Sequence, residues 1–152
     1  MMYRFLSRIV FALFISFSTL AQTVTVKIIE TSDVHGAIFP YDLKENKETN
    51  SSLARVTTYL KEQRADRNQI VFLLDNGDIL QGDPVVYYYN FEKTDTIHLY
   101  ADVMNFMNYD AGTIGNHDIE TGHDVYDKFN KEFNFPWLAA NAINTTTNES
   151  YF

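Results

Sequence analysis

Cysteine is absent from all 152 residues. Disulfides, thiolate metal sites and a lipid-anchored cysteine are therefore excluded. Basic residues are scarce: 12 Lys and Arg face 20 Asp and Glu, for a formal net charge of −8. That balance argues against a nucleic-acid polymer or an anionic membrane surface as partner. It leaves room for a small phosphate ester wherever cations sit in the site. Internal repeats and low-complexity segments are missing. So is a hydrophobic run of membrane-spanning length, because the apolar stretch from Ile9 to Leu20 is short of the roughly 20 residues a span needs.

What that stretch does have is the layout of a leader. Arg4 and Arg8 precede it, and Thr19-Leu20-Ala21 follows as a small-residue cleavage site. Residues 1–21 are expected to be a signal peptide, and the chain to be exported, periplasmic or secreted. The competing reading is an uncleaved anchor. Without Arg4 and Arg8 the remaining segment, 22–152, holds 10 basic and 20 acidic residues. With no membrane contact expected after cleavage and no Cys, it must be held by its core or by metal. A hydrophobic content of 45% and an aromatic content of 15% suit a globular domain with such a core.

Hydrophobic patterning gives the order of elements. "VTVKIIET" (24–31) alternates β-branched and polar residues and predicts a strand. "IVFLL" (70–74) is a continuous apolar run, as in a strand covered on both faces. "DAGTIG" (110–115) and "WLAAN" (137–141) predict two more. Helical spacing marks 51–65, with Ser51 or Ser52 as N-cap, then 95–108, then a third helix carrying Val125, Phe129 and Phe133. The tail "NTTTNES" has the composition of a turn or a frayed end. The resulting β-α-β-α-β-α-β order predicts an α/β fold with a parallel sheet and right-handed crossovers. Sites in such sheets lie at the carboxyl ends of the strands.

Three polar clusters occupy those ends. Asp33-x-His35 follows the first strand, Asp78 the second, and Asn116-His117 the third. Carboxylate, imidazole and amide oxygen are hard to borderline donors, suited to Zn, Mn, Fe or Mg. Taken singly, each has an ordinary explanation. Asp33-x-His35 fits a solvated turn, Asp78 a turn cap, Asn116 a left-handed turn residue, and His117 a helix start bonded to backbone.

Taken in order, D-x-H, G-D and G-N-H-D closely resemble the calcineurin-like metallophosphoesterases. "SDVHG", "DNGDILQGDP" and "GTIGNHDIETG" are most similar to the secreted 5′-nucleotidase and 2′,3′-cyclic-nucleotide phosphodiesterase family, and the helices between them look alike too. The resemblance covers about residues 24–142. It implies the N-terminal part of a four-layer α/β/β/α sandwich. It also implies a nucleotide phosphoester hydrolase that works by two-metal hydroxide attack on phosphorus. Asp33 and His35 would hold the first divalent ion, Asp78 would bridge both, and Asn116 would hold the second. His117 would act on the substrate, oriented by a carboxylate.

Two departures qualify it. The family usually places Asp three residues after the catalytic His; here Glu120 stands there, with Asp118 also near, and Glu120 is the favoured partner. The family's later G-H and G-H-x-H motifs are matched by neither His98, read here as inside a helix, nor His123, and its base-gripping C-terminal domain has no counterpart in these residues. The second metal site is thus expected to be incomplete and this chain alone to be inactive. The alternative is a non-catalytic remnant serving as a metal-binding or interaction module. Uncovered apolar surface on the last strand and around Met104 is expected to favour self-association.

The leader yields the first test. Protein recovered from its native host should begin at Gln22, as intact mass would report. A cell-associated product retaining Met1 would contradict it.

Overall fold

A computed structural model describes residues 23–152. The expected leader lies outside these residues. Among the described residues, no helix is long and apolar enough to cross a membrane.

Four parallel strands form the main sheet in the order β1-β4-β5-β6: β1 Thr25–Thr31, β4 Gln69–Asp75, β5 Ala111–Thr113 and β6 Trp137–Leu138. Helix α1 (Leu53–Ala65) connects β1 to β4, α3 (Leu99–Met107) leads into β5, and α5 (His123–Glu132) leads into β6. The alternating α/β order and parallel sheet expected from the sequence are both present.

Register decides where the loops go. β1 and β4 pair residue for residue from Thr25–Gln69 to Thr31–Asp75, so both strands end at the same level. β5 joins only that end, pairing Leu74 with Ala111 and Asp75 with Gly112. A side-chain chain fastens it: the Tyr109 hydroxyl donates to Thr31 Oγ1 (2.9 Å), which donates to Asp75 Oδ1 (2.7 Å). Asp75 also accepts the Gly77 N–H at 2.9 Å. Burial pushes its carboxyl up to about 7. Successive hydrogen bonds of this kind polarise and strengthen one another.

The core lies on one face of the sheet. Leu53 and Leu60 of α1, Leu73 of β4, Tyr100, Ala101, Met104 and Met107 of α3, and Phe129 of α5 are all almost fully buried. Ser52 caps α1 as expected, its side chain accepting the Arg55 N–H at 3.2 Å. α3 begins later than its apolar spacing suggests. His98 is the N-cap, outside the helix, with Nδ1 accepting the Tyr100 N–H at 3.1 Å. Its Nε2–H therefore donates to Asn90 Oδ1 at 3.0 Å, and burial lowers its pKa to about 4, leaving the ring neutral.

Several elements are additional to those the sequence predicts. Asp83 caps a helical turn, α2 (Pro84–Tyr87), which runs into a π-helical turn at Tyr88–Glu92. An antiparallel pair, β2 (Tyr41–Asp42) with β3 (Lys47–Glu48), fills the crossover before α1. A short helix, α4 (Asn116–Glu120), precedes α5. Of the two expectations for the polar tail, the turn is what forms and the frayed end is not: β7 (Ile143–Asn144) pairs antiparallel with β8 (Glu149–Ser150), and Asn148 takes the left-handed conformation (φ 58°) that closes the turn.

Met104 itself is buried, but uncovered apolar surface exists beside it at Phe106 on the same helix, 69% exposed. More lies on the other face of the sheet. Val26 pairs with Ile70 and Ile28 with Phe72, and all four are between 42% and 65% exposed. Leu138 on β6 is also exposed. Parallel sheets are ordinarily covered on both faces, and a contiguous apolar patch favours association. The segment 22–152 should therefore self-associate in sedimentation velocity, and Ile28→Lys with Phe72→Lys should shift it toward monomer. A wild-type chain that stays monomeric with a cooperative melt would count against this face as a driver.

Candidate metal and phosphoester site

Because β1, β4 and β5 end level, their following loops meet at one edge. The contacts are direct. Asp33 N–H donates to the Gly77 carbonyl and His35 N–H to the Asp78 carbonyl, both at 3.0 Å. The loop after β4 also presses on the loop after β5. A Cβ on Gly115 would lie 2.1 Å from Asp78 Oδ1, so only glycine leaves room for that carboxylate.

Asp118 locks the arrangement. Its side chain is fully buried. Oδ1 accepts the N–H groups of Ile79 and Leu80 (both 2.8 Å), and Oδ2 accepts those of Asp78 and Gly115 (both 2.9 Å). Burial pushes its carboxyl up, while the four N–H donors act against that shift. Asp118 thus joins the β4 loop to the start of α4. A turn residue that faces inward this way has no signature in spacing alone.

Three of the implied ligands share an uncommon backbone. Asp33, His35 and Asp78 have φ of 52°, 43° and 60°, the left-handed region that non-glycine residues seldom enter. Such conformations persist where surroundings enforce them, and they cluster at functional sites. Asn116 is not among them, so the left-handed turn once open for it is not what forms. It is instead the first residue of α4.

His35, Asp78 and His117, each half-buried, bring one ligand atom apiece within 4.8 Å of one another. The two imidazoles stand edge to face, 5.3 Å between centroids. His35 Nδ1 lies 3.0 Å from the Gln81 carbonyl. A carbonyl only accepts, so Nδ1 carries the proton and Nε2 keeps its lone pair. His117 Nδ1 lies 3.0 Å from Glu120 Oε2, which leaves its Nε2 free in the same way. Its N–H donates to Asp78 Oδ1 at 3.0 Å. The bond to Glu120 raises the pKa of His117 and lowers that of Glu120. Of the two carboxylates near His117, Glu120 meets its ring and Asp118 faces the backbone.

Asp33 sits at the rim. Its side chain is 63% exposed, and one oxygen lies 3.9 Å from His35 Nε2 while the other takes the Ser32 hydroxyl. The three-membered cluster therefore contains His117 where the resemblance implied Asp33. Asn116 is exposed beside them. His98 belongs to the core, and His123 contacts Tyr126, Tyr151 and Asp127 away from this edge. Nitrogen and carboxylate donors converging with free Nε2 lone pairs suit a borderline divalent cation, and the carbonyl behind His35 is the usual second support of a metal-binding imidazole.

Comparison with known proteins agrees. The model of the calcineurin-like phosphoesterase family matches residues 26–150. The chain belongs to that family. It is 37% identical, over 87% of its length and 9% of the relative's, to the trifunctional nucleotide phosphoesterase protein YfkN of Bacillus subtilis (strain 168). It is 33% identical to a 2′,3′-cyclic-nucleotide 2′-phosphodiesterase/3′-nucleotidase of Yersinia enterocolitica, over 87% of this chain and 21% of that one. It is 34% identical to a Bos taurus 5′-nucleotidase, over 80% and 21%. The crystal structure of YfkN superposes with a TM-score of 0.76 at 35% identity, covering 86% of this chain and 41% of that chain. This chain thus spans a tenth to a fifth of these curated relatives' lengths.

Replacing Asp118 by Ala would strand four N–H groups, those of Ile79 and Leu80 fully buried and those of Asp78 and Gly115 partly so. Unfolding in urea should show a loss of about 3 kcal/mol or more. Asp118→Asn should fall between, because its amide nitrogen would face a donor. A loss below about 0.5 kcal/mol for Asp118→Ala would refute the clasp.

Proposed function

We propose that this chain carries the first metal motifs of an exported, metal-dependent nucleotide phosphoester hydrolase, of 5′-nucleotidase or 2′,3′-cyclic phosphodiesterase type. The observation that carries the reading is the convergence of three strand-end loops with left-handed backbone at Asp33, His35 and Asp78. Solvated turns would not concentrate such conformations on the residues that the family motif singles out. The nucleotide phosphoesterases among its relatives support the substrate class.

In this reading His35, Asp78, Asp33 and Asn116 hold the divalent ions. Such ions supply a lowered pKa to an attacking water and positive charge beside the phosphoryl oxygens. The protein's own parts do the rest. The Gln81 carbonyl fixes the tautomer of His35. Asp118 fixes the backbone on which Asp78 stands. Glu120 holds His117 with Nε2 toward the cluster and favours the protonated ring, which can donate to a phosphoryl or leaving-group oxygen. His117 also lies close enough to serve as a ligand, so its role needs a direct test.

Two oxygen donors, Asp78 and Asn116, hold a second cation weakly against water. Residues 22–152 alone should therefore bind about one divalent ion and hydrolyse phosphoesters negligibly, by the two-metal requirement. Metal analysis beside turnover numbers separates the roles. Asp78→Ala should strip the ion from this chain. In an extended protein bearing further metal motifs it should abolish activity, whereas His117→Ala should lower turnover with metal content nearly unchanged. If His117→Ala empties the site, or the short chain turns over nucleotides at an enzyme-like rate, the assignment fails.

A further inference from the structure

Position 81 is fixed from both sides. The N–H of Leu80 is held by Asp118 Oδ1 at 2.8 Å, and the Leu80 carbonyl accepts from Asn90 at 2.8 Å. On the other side Gly82 takes φ of 126°, and a Cβ there would lie 2.5 Å from the His35 carbonyl oxygen. Asp83 N–H donates to that same carbonyl at 2.9 Å. The backbone at Gln81 is thereby pinned against the β1 loop.

From that place Gln81 reaches the supports of both imidazoles. Its backbone carbonyl accepts the His35 Nδ1–H at 3.0 Å. Its side-chain amide donates to Glu120 Oε2 at 3.3 Å. That oxygen is the one that meets His117 Nδ1 at 3.0 Å. The Glu120 side chain is 55% exposed, and an exposed pair of mobile side chains is held only weakly by its own attraction. Glutamate has one more rotatable bond than aspartate, so it has more orientations to lose in holding a ring. A second donor on Oε2, anchored in a fixed turn, restricts that freedom.

We propose that Gln81 is a positioning residue for both rings, its carbonyl setting His35 and its side-chain amide holding Glu120 so that His117 keeps Nε2 toward the cluster. What the rings then do rests on the phosphoester-hydrolase reading above; how they are held does not. The two contacts are separable. Any residue at 81 supplies the carbonyl, whereas reaching Glu120 takes a long side chain ending in an N–H donor. Loss of the amide should therefore disturb His117 and spare His35. A general loosening of the turn would disturb both.

Tautomers read this directly, because the hydrogen bond made by one ring nitrogen decides where a neutral imidazole keeps its proton. The 152-residue chain, labelled with 15N-histidine, is observed by long-range 1H–15N correlation at a pH where the rings are neutral. His98, with its proton on Nε2 between Tyr100 and Asn90, is the internal reference for the opposite form. His35 and His117 should both show Nδ1–H. Gln81→Leu should cut the Nδ1–H share of His117 by about half or more and leave His35 unchanged. In Glu120→Ala, His117 should already have lost that form, and adding Gln81→Leu should change nothing further. The proposal is overturned if His117 lacks Nδ1–H in the unsubstituted chain, if it is unchanged in Gln81→Leu, if His35 and His117 shift together, or if the double variant shifts further. Zinc added to the same samples reports the other claim. Ring signals of His35 that ignore zinc would strike the hydrolase reading, while the tautomers alone decide the role of Gln81.

Discussion

One buried carboxylate sets the geometry on which the site depends. Asp118 collects four backbone N–H groups from two loops that are almost 40 residues apart in the chain. Without it the turn at Asp78–Leu80 would present three donors to an apolar interior, a costly condition. With it, the Asp78 peptide is fixed, and Asp78 Oδ1 can in turn receive the His117 N–H. The same turn is held from its other side. Leu80 donates to Asp118, and its carbonyl accepts from Asn90, whose oxygen accepts from neutral His98. A buried polar network satisfied at these points rigidifies its surroundings. The cap of α3 is thereby linked to the metal-facing turn through hydrogen bonds alone.

That rigidity explains how strained ligands persist. A non-glycine residue in the left-handed region costs about 1 kcal/mol or more, and Asp33, His35 and Asp78 all stand there. Each stands where the β1 and β4 loops exchange backbone hydrogen bonds: Asp33 with Gly77, His35 with Asp78, and the His35 carbonyl with Asp83 N–H at 2.9 Å. These bonds form only because β1 and β4 end level. Strand register therefore fixes ligand conformation, and the strain is offset by loop contacts, not by the ligands' own side chains.

The strands and the three clusters were legible because period-two alternation and polar residues at strand ends are local signals. β4 was anticipated to within a residue at each end, and its apolar run does end at the site. The start of α3 was not, because Ile97 continues the apolar spacing while His98 turns its ring back to cap the helix. The turn at Pro84 had a legible signal, Asp followed by Pro at the first helical position, which was overlooked beneath a run of tyrosines. Full coverage of IVFLL was a wrong inference: Ile70 and Phe72 face outward, and a continuous apolar run does not say which neighbour covers it. The function of Asp118 was illegible in principle. It depends on which of two adjacent carboxylates a short helix turns inward, and spacing to His117 distinguishes neither.

The two imidazoles of the cluster differ in what supports them. Both have Nδ1 occupied and Nε2 free, so tautomer does not separate them. What stands behind each ring does. A backbone carbonyl backs His35 and accepts the Nδ1–H, leaving Nε2 on the far side of the ring. A carboxylate backs His117, and the bond to it raises the pKa of the ring. The division comes from Glu120 reaching Nδ1 one helical turn on, within α4, and from Gln81 lying in the turn that Asp118 holds in place.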